Sequence, residues 1–289
     1  MIELKLNNLS FRYKLNKYIF KDLSLSFSDG ITLLLGANGS GKSTMFKLIA
    51  GVLLPKSGEV TVNIDGQAIT DLKSVISYIP QNFNIFPSLT VKEVLTYICQ
   101  ARSKGISKQE TKRQVENALE IADIEEYADK KMHTLSGGTC QRVGIAQSIL
   151  GDPKIIIADE PTAGLDPEQR ERYNRIVSRT AQNRLFVIST HLFEDAEYYN
   201  NLVLIADGKV NFQGTKQQLI DSVDGKLYTL ICPEAEFDKK KLSENFKIID
   251  DIYENNTVTA KLFVKAENAN VSGMKPEKAN LRDAWKCYR

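Results

Sequence analysis

Gly36-Ala37-Asn38-Gly39-Ser40-Gly41-Lys42-Ser43 satisfies the pattern G-x-x-x-x-G-K-[ST] at every fixed position. Its glycines permit positive φ and a close approach of backbone to an anion. Successive N–H groups then form a nest at a helix start, where the helix dipole adds to the attraction for phosphate. Lys42 has the length to reach the β- and γ-phosphates of a triphosphate, and the Ser43 hydroxyl suits Mg²⁺. The pattern requires a strand before it and a helix after it. Ile31–Leu35 is a continuous apolar run that suits a strand covered on both faces. Phe46, Ile49 and Leu53 then fall on one helical face, which stops at Gly51 to Pro55. An α/β fold that binds a nucleoside triphosphate follows, with Gly36, Asn38, Gly39, Ser40, Gly41, Lys42, Ser43 and Thr44 as its phosphate-binding set.

A second strand-like run, Ile155-Ile156-Ile157-Ala158, ends in the adjacent carboxylates Asp159 and Glu160. The tip of a parallel strand is where an open α/β sheet places its ligand. Asp159 there suits Mg²⁺, directly or through water, and Glu160 suits polarisation of the attacking water. An Asp-Glu after an apolar run ordinarily just starts a helix. Beside a phosphate loop, both carboxylates acquire a use.

The rest of the chain fits around these two tips. Ile2–Leu6 and Tyr18–Phe27 read as antiparallel strands, and Glu59–Ile64 and Val75–Ile79 as further strands. From Thr90 to about Tyr127 the spacing turns helical, with Val91, Val94, Leu95 and Ile98 on one stripe and Val115, Ala118, Leu119 and Ala122 on another. Ser107 with Glu110 reads as a capping box, and Asp166-Pro167 as an N-cap followed by proline. Strand Leu185–Ser189, a helix around Phe193–Tyr199 and strand Leu202–Ile205 complete the core. Beyond it, Lys226–Cys232, Lys247–Tyr253 and Val258–Val264 read as short strands, with a lysine-rich helix between the first two and a terminal helix from Leu281 to Trp285.

Composition narrows the partners. Thirty-eight Lys plus Arg against 36 Asp plus Glu leave a formal charge of +2, without the basic excess of a nucleic-acid binder, so no nucleic-acid partner is expected. No apolar run approaches the roughly 20 residues of a membrane helix, and the amino terminus lacks a signal-like core. A cytosolic chain that meets the membrane only through a partner is the expectation. Cys99, Cys140, Cys232 and Cys287 lie far apart, with only His133 and His191 besides, so a zinc site is not expected and the thiols read as reduced.

Leu135-Ser136-Gly137-Gly138-Thr139-Cys140-Gln141-Arg142 resembles the signature sequence of ATP-binding cassette (ABC) ATPases. Physically it is a second anion nest at a second helix start. The resemblance implies that two subunits pair head to tail, with Ser136, Gly137 and Gly138 of each closing on the other's ATP. Further matches follow in order over residues 1–225. Gln81, in Tyr78-Ile79-Pro80-Gln81, is similar to the glutamine that senses Mg²⁺ or the attacking water and contacts the membrane partner. Ala163-Gly164-Leu165-Asp166 resembles the turn that crosses the dimer interface, and His191 the histidine that bonds the γ-phosphate. Tyr13 stands where an aromatic stacks on adenine, with Tyr18 or Phe11 as substitutes. Thr139-Cys140 departs from the usual signature, and Ala158 is smaller than the usual aliphatic, but neither removes a chemical group.

The resemblance thus implies a P-loop NTPase core with an antiparallel β subdomain and a helical insertion at about 90–150, over residues 1–225; outside it, the short strands and terminal helix read as a small α+β extension at 226–289. It implies an ATP hydrolase using ATP and Mg²⁺, with catalytic Lys42, Gln81, Glu160 and His191 and metal-binding Ser43, Gln81 and Asp159. It places the chain at the cytoplasmic face of the membrane, peripheral through a membrane-spanning permease and paired with itself or a related ATPase. Lys278–Ala284, Gly151–Lys154 and Pro161–Pro167 resemble stretches of bacterial exporter ATPases, which favours export. An importer subunit, or a soluble relative acting on nucleic acid or ribosomes, is the alternative. Phe83 and Phe86, in the segment 82–87, are expected either to line a groove for a permease helix or to pack within the subunit.

Overall fold

The computed structural model describes residues 1–14, 17–81, 83, 85–103, 105–238, 242, 244–266 and 269–288. Most of the expected lysine-rich helix, around 239–241, lies outside the described residues, as do positions 82 and 84 of the Phe83–Phe86 segment. The strands are β1 (Ile2–Phe11), β2 (Phe20–Ser28), β3 (Gly30–Leu35), β4 (Ser57–Ile64), β5 (Gln67–Ile69), β6 (Ile76–Ile79), β7 (Ile155–Asp159), β8 (Leu185–Thr190), β9 (Asn201–Ala206), β10 (Lys209–Thr215), β11 (Leu227–Pro233), β12 (Phe246–Glu254), β13 (Thr257–Val264) and β14 (Lys275–Pro276). The helices are α1 (Lys42–Ile49), α2 (Leu72–Val75), α3 (Val91–Arg102), α4 (Lys108–Ile121), α5 (Gly137–Ile149), α6 (Pro167–Thr180), α7 (Lys216–Asp221) and α8 (Leu281–Tyr288).

Two compact units divide at Val210/Asn211, so α7 falls in the second unit rather than before a boundary near 225. In the first unit, β1, β2, β4 and β5 form an antiparallel sheet of order β2-β1-β4-β5. Strands β9, β3, β8, β7 and β6 lie side by side, and the pairs from β9 to β6 are parallel. Every residue of β7 and β8 is buried, which is why Ile155–Ala158 and Leu185–Ile188 read as unbroken apolar runs. Met45, Phe46 and Ile49 of α1 are fully buried in one core with Leu4, Leu6, Phe20 and Phe27 of the antiparallel sheet and Leu34, Ile157 and Val187 of the parallel one. Burying a side chain such as Phe46 contributes about 2–3 kcal/mol, so α1 is clamped where the phosphate loop needs it.

The parallel register does the positioning. Leu35 pairs with Thr190 and Asp159 with Ser189, so the carboxyl ends of β3, β8 and β7 come level. The residues that follow, Gly36, His191 and Glu160, leave the sheet along one edge.

The helical insertion contains α3, α4 and α5. Thr90 and Glu93 make a complete capping box on α3, which the sequence reading did not pick out. At α4, Ser107 Oγ does accept from Glu110 N, but the expected reciprocal bond is absent among the described residues. Glu110 instead takes Arg113 in a bidentate pair at 2.7 and 2.6 Å, because a charge-assisted fork outcompetes a neutral amide. That pair holds the Glu110 carboxyl down at about 2. The expected helix at Phe193–Tyr199 is a short 3-10 turn, Phe193–Glu197.

The second unit is an antiparallel sheet of order β12-β13-β11-β14 over a small core of Phe246, Val258, Ala260 and Leu262. The Lys278–Ala284 stretch has a structural use there. Asn280 Oδ1 caps α8 at Asp283 N, and buried Asp283 takes Lys261 Nζ of β13 at 2.8 Å. Among the described residues no helix is long and apolar enough to cross a membrane.

Candidate active site

Gly36 N donates to Thr190 O at 3.2 Å, which ties the start of the loop to β8. A Cβ at Gly36 would stand 2.5 Å from Ile205 O, and Gly41 holds φ 105°, so side chains are excluded at both positions. Lys42 then opens α1 with its ammonium turned back into the loop. Its Nζ donates to Gly36 O at 2.8 Å and Ala37 O at 3.2 Å, and lies 3.1 Å from Glu160 Oε1, with the side chain only 4% exposed.

Glu160 is the point of convergence. Its other oxygen, Oε2, is 3.0 Å from His191 Nδ1 and 3.4 Å from Gln81 Nε2. All four residues placed in catalytic roles therefore meet at one carboxylate. Glu160 also adopts φ 47°, a left-handed conformation that side chains seldom take. Such conformations cost on the order of 1–3 kcal/mol and persist where surrounding structure enforces them. Here Glu160 N is held on Ser189, with Oγ at 2.9 Å and O at 3.1 Å.

Asp159 is buried one residue earlier. Ser189 Oγ donates to its Oδ1 at 2.7 Å, and Tyr78 OH approaches Oδ2 at 3.4 Å. Burial, with Asp159 beside it, pushes the Tyr78 phenol well up, so it stays a neutral donor. Gln81 is positioned from α5, since Gln141 Nε2 donates to Gln81 O at 2.9 Å and Gln147 Nε2 to Tyr78 O at 3.3 Å.

A cavity of about 440 Å³ opens over this edge, lined by Ile19, Asn38, Gly39, Gly41, Lys42, Ser43, Thr44, Gln81 and Glu160. A buried ammonium, a helix start and a buried Ser40 Oγ with no hydrogen-bond partner among the described residues fit a polyphosphate. Among the described residues no cluster of His, Cys, Asp and Glu forms a complete metal site. Mg²⁺ takes one or two protein ligands and completes its shell with phosphate and water, and the Ser43 hydroxyl and Asp159 carboxylate are oxygen donors of the kind it takes.

Other site residues fall around the cavity or away from it. Tyr13 is 59% exposed, with its OH 3.2 Å from Thr44 Oγ1 and its ring edge-on to Phe11. Phe11 is buried in the core and is not open to a base, whereas Tyr18 is exposed under the Arg12 guanidinium. Ser136 caps α5 by accepting from Thr139 N at 3.2 Å. Ser136, Gly137 and Gly138 do not line the cavity that holds Lys42. Gly138 lies under the Gln169 amide, and Asp166 caps α6 by accepting from Gln169 N at 2.8 Å. His133 has Nδ1 2.8 Å from Pro87 O. Phe83 is buried beside Gly144, which is the packing alternative of the two expected for it. Phe86 is exposed and meets Tyr97 edge-on at 5.3 Å.

The sequence reading missed Tyr78, Ser189, Thr190, Thr162 and Asp195 as supports of the site. A signal was present at two of them, because Ser189-Thr190 is a polar pair at the tip of a wholly buried strand.

The geometry defines a nucleoside-triphosphate-binding α/β protein, with a phosphate loop at the tip of β3 and two carboxylates at the tip of β7, on either side of β8. The ABC transporter family matches residues 20–163. A putative ABC transporter ATP-binding protein of Pyrococcus furiosus is 34% identical over 240 residues, or 81% of this chain and 90% of that protein. The Nod factor export ATP-binding protein I of Burkholderia orbicola is 34% identical over 225 residues, or 75% of this chain and 72% of that protein. The solved ATP-binding cassette MJ0796, a dimer in a post-hydrolysis state bound to ADP and Pi, has a TM-score of 0.64 at 29% identity, covering 73% of this chain and 98% of that one. The chain belongs to the ABC transporter ATP-binding family, and it is an ATP-binding, ATP-hydrolysing transporter subunit.

Proposed function

We propose that this chain works as one of two paired ATPase subunits that power export through a separate membrane-spanning permease. The observation that carries the reading is the meeting of Lys42, Gln81 and His191 on Glu160 at the mouth of the phosphate loop, with a second anion nest outside that cavity. A nest that does not line its own chain's cavity has a use if it closes on another's. Export is supported by the Nod factor export relative.

Entry of the ATP γ-phosphate gives Lys42 a stronger partner than Glu160. The ammonium moves to phosphate oxygen and frees Glu160 Oε1 to accept a proton from the attacking water. His191 and Gln81 hold Oε2 and fix the carboxylate's orientation. Ser43, Asp159 and Gln81 would hold Mg²⁺, which would neutralise developing phosphate charge. Tyr13 and Thr44 stand at the rim where the base would lie. Hydrolysis and phosphate release remove the charge bridging the two subunits, so the pair opens.

Gly137→Asp tests the pairing. Nothing lies within 4 Å of a Cβ built at Gly137, and an acid in the first turn of α5 suits the helix dipole, so the fold is kept. ATP binding to the isolated chain is expected to stay within about twofold, while turnover in the assembled transporter falls at least roughly a hundredfold, as when a charge-stabilising donor is lost. Equilibrium binding and steady-state phosphate release read the two arms. Unchanged turnover would contradict a trans role for the nest.

The exposed Phe86–Tyr97 pair is the proposed permease contact. Phe86→Glu with Tyr97→Glu is expected to cut co-purification of the permease at least about tenfold, the effect of losing an interface anchor worth some 1.4 kcal/mol or more. The isolated chain should still bind ATP normally. Full co-purification would place the contact elsewhere.

A further inference from the structure

Asp195 is 1% exposed in the turn Phe193–Glu197, and the mechanism above does not use it. Its Oδ2 accepts from Thr190 Oγ1 at 2.6 Å and from Thr162 Oγ1 at 2.7 Å. Its Oδ1 faces Arg170 Nε at 3.7 Å, beyond hydrogen-bond reach. Neither Asp195 Oδ1 nor Arg170 Nε has a hydrogen-bond partner among the described residues. A buried carboxylate is costly unless its lone pairs are satisfied, so a half-satisfied one requires a reason.

The three segments that meet at this carboxylate supply one. Thr162 lies two residues beyond Glu160 and directly before the turn Ala163–Asp166. Arg170 N bonds to Asp166 O, so Arg170 moves with that turn. Thr190 directly precedes His191, and its hydroxyl also accepts Leu192 N at 3.0 Å, so it brackets the histidine. One buried side chain thus ties the turn that leaves Glu160 to the segment that presents His191.

We propose that Asp195 is a positioning residue that couples the Ala163–Asp166 turn to His191. Seating of that turn against a partner subunit draws Arg170 onto Oδ1. The tightened carboxylate then fixes Thr162 and Thr190 through Oδ2, and His191 is held on Glu160. A lone subunit, with Oδ1 unsatisfied, leaves the histidine less constrained and hydrolyses slowly. The trigger rests on the paired reading above; the ties inside one chain do not.

The test is a mutant cycle in the purified transporter. Thr162→Val keeps shape and removes the hydroxyl bonded to Asp195. It is expected to lower kcat roughly ten- to a hundredfold, the size of effect a small misplacement of a catalytic group produces, with KM for ATP within about twofold. Thr162→Ser, which keeps the hydroxyl, should restore kcat. In a His191→Ala background, Thr162→Val should cause no further loss, because its effect passes through the histidine. A Thr162→Val loss that multiplies with His191→Ala, or an unchanged kcat in Thr162→Val, overturns the coupling. Should Thr162→Val lower the melting temperature enough to obscure kcat, Arg170→Lys carries the same cycle with the charge retained. Failure of the paired reading is seen separately. A Glu160→Gln chain that does not pair on ATP removes the trigger, whereas a multiplicative cycle with pairing intact overturns the coupling alone.

Discussion

Glu160→Gln is expected to stop turnover while leaving ATP bound. Glutamine matches the shape of glutamate and can keep an oxygen toward Lys42 Nζ, now 3.1 Å from Oε1. What it lacks is a site that takes a proton. Loss of a general base costs about 10²–10⁴ in rate, so steady-state phosphate release should fall by at least two orders of magnitude. ATP binding should hold or tighten, because the amide removes a negative charge close to where the γ-phosphate arrives. With hydrolysis blocked, the bridging phosphates stay in place, and the sample should shift to twice its mass in ATP and Mg²⁺. Turnover near the native rate would refute the role given to Glu160.

Lys42→Ala should fail at the earlier step. Its ammonium is buried among the Gly36 and Ala37 carbonyls and the Glu160 carboxylate, all of them acceptors. Truncation leaves those acceptors facing the phosphates without the ammonium that separates them. A charge-assisted hydrogen bond is worth about 1.5–3 kcal/mol, and added repulsion from Glu160 takes the expected loss of ATP affinity to at least roughly a hundredfold. The fold should survive, since Gln81 and His191 still hold Glu160 Oε2. Titration of a fluorescent ATP analogue, with the melting temperature as a control, reads both statements. An unchanged dissociation constant would remove Lys42 from phosphate binding.

The two losses differ in kind. Lys42→Ala is a binding defect that excess ATP partly relieves, and Glu160→Gln is a chemical defect that no ATP concentration relieves.

Much of this site was legible in the sequence because its parts are local. Gly36–Ser43 and the tip Asp159-Glu160 each place their groups within a few residues, and the strands that carry them are unbroken apolar runs. Supports that depend on contacts between distant segments were not legible. Asp195 meets Thr162 across 33 residues, and Gln141 holds the Gln81 backbone across 60. Phe83 and Phe86 are three residues apart with the same side chain, yet one is buried against α5 and the other is exposed. Periodicity cannot separate them, because neither Phe83 nor Phe86 lies in a helix or strand. The capping box at Ser107 failed for a related reason. The spacing allowed it, and a better partner for Glu110 stood one turn further along, at Arg113.

The central claim is that ATP lies between the lysine loop of one subunit and the Ser136–Gly138 turn of another. A cryo-electron microscopy structure of the transporter carrying Glu160→Gln, frozen in ATP and Mg²⁺, measures that directly. The account predicts the partner's signature turn within hydrogen-bond distance of the γ-phosphate held by Lys42. A nucleotide-loaded subunit with no such turn near its phosphates would contradict it.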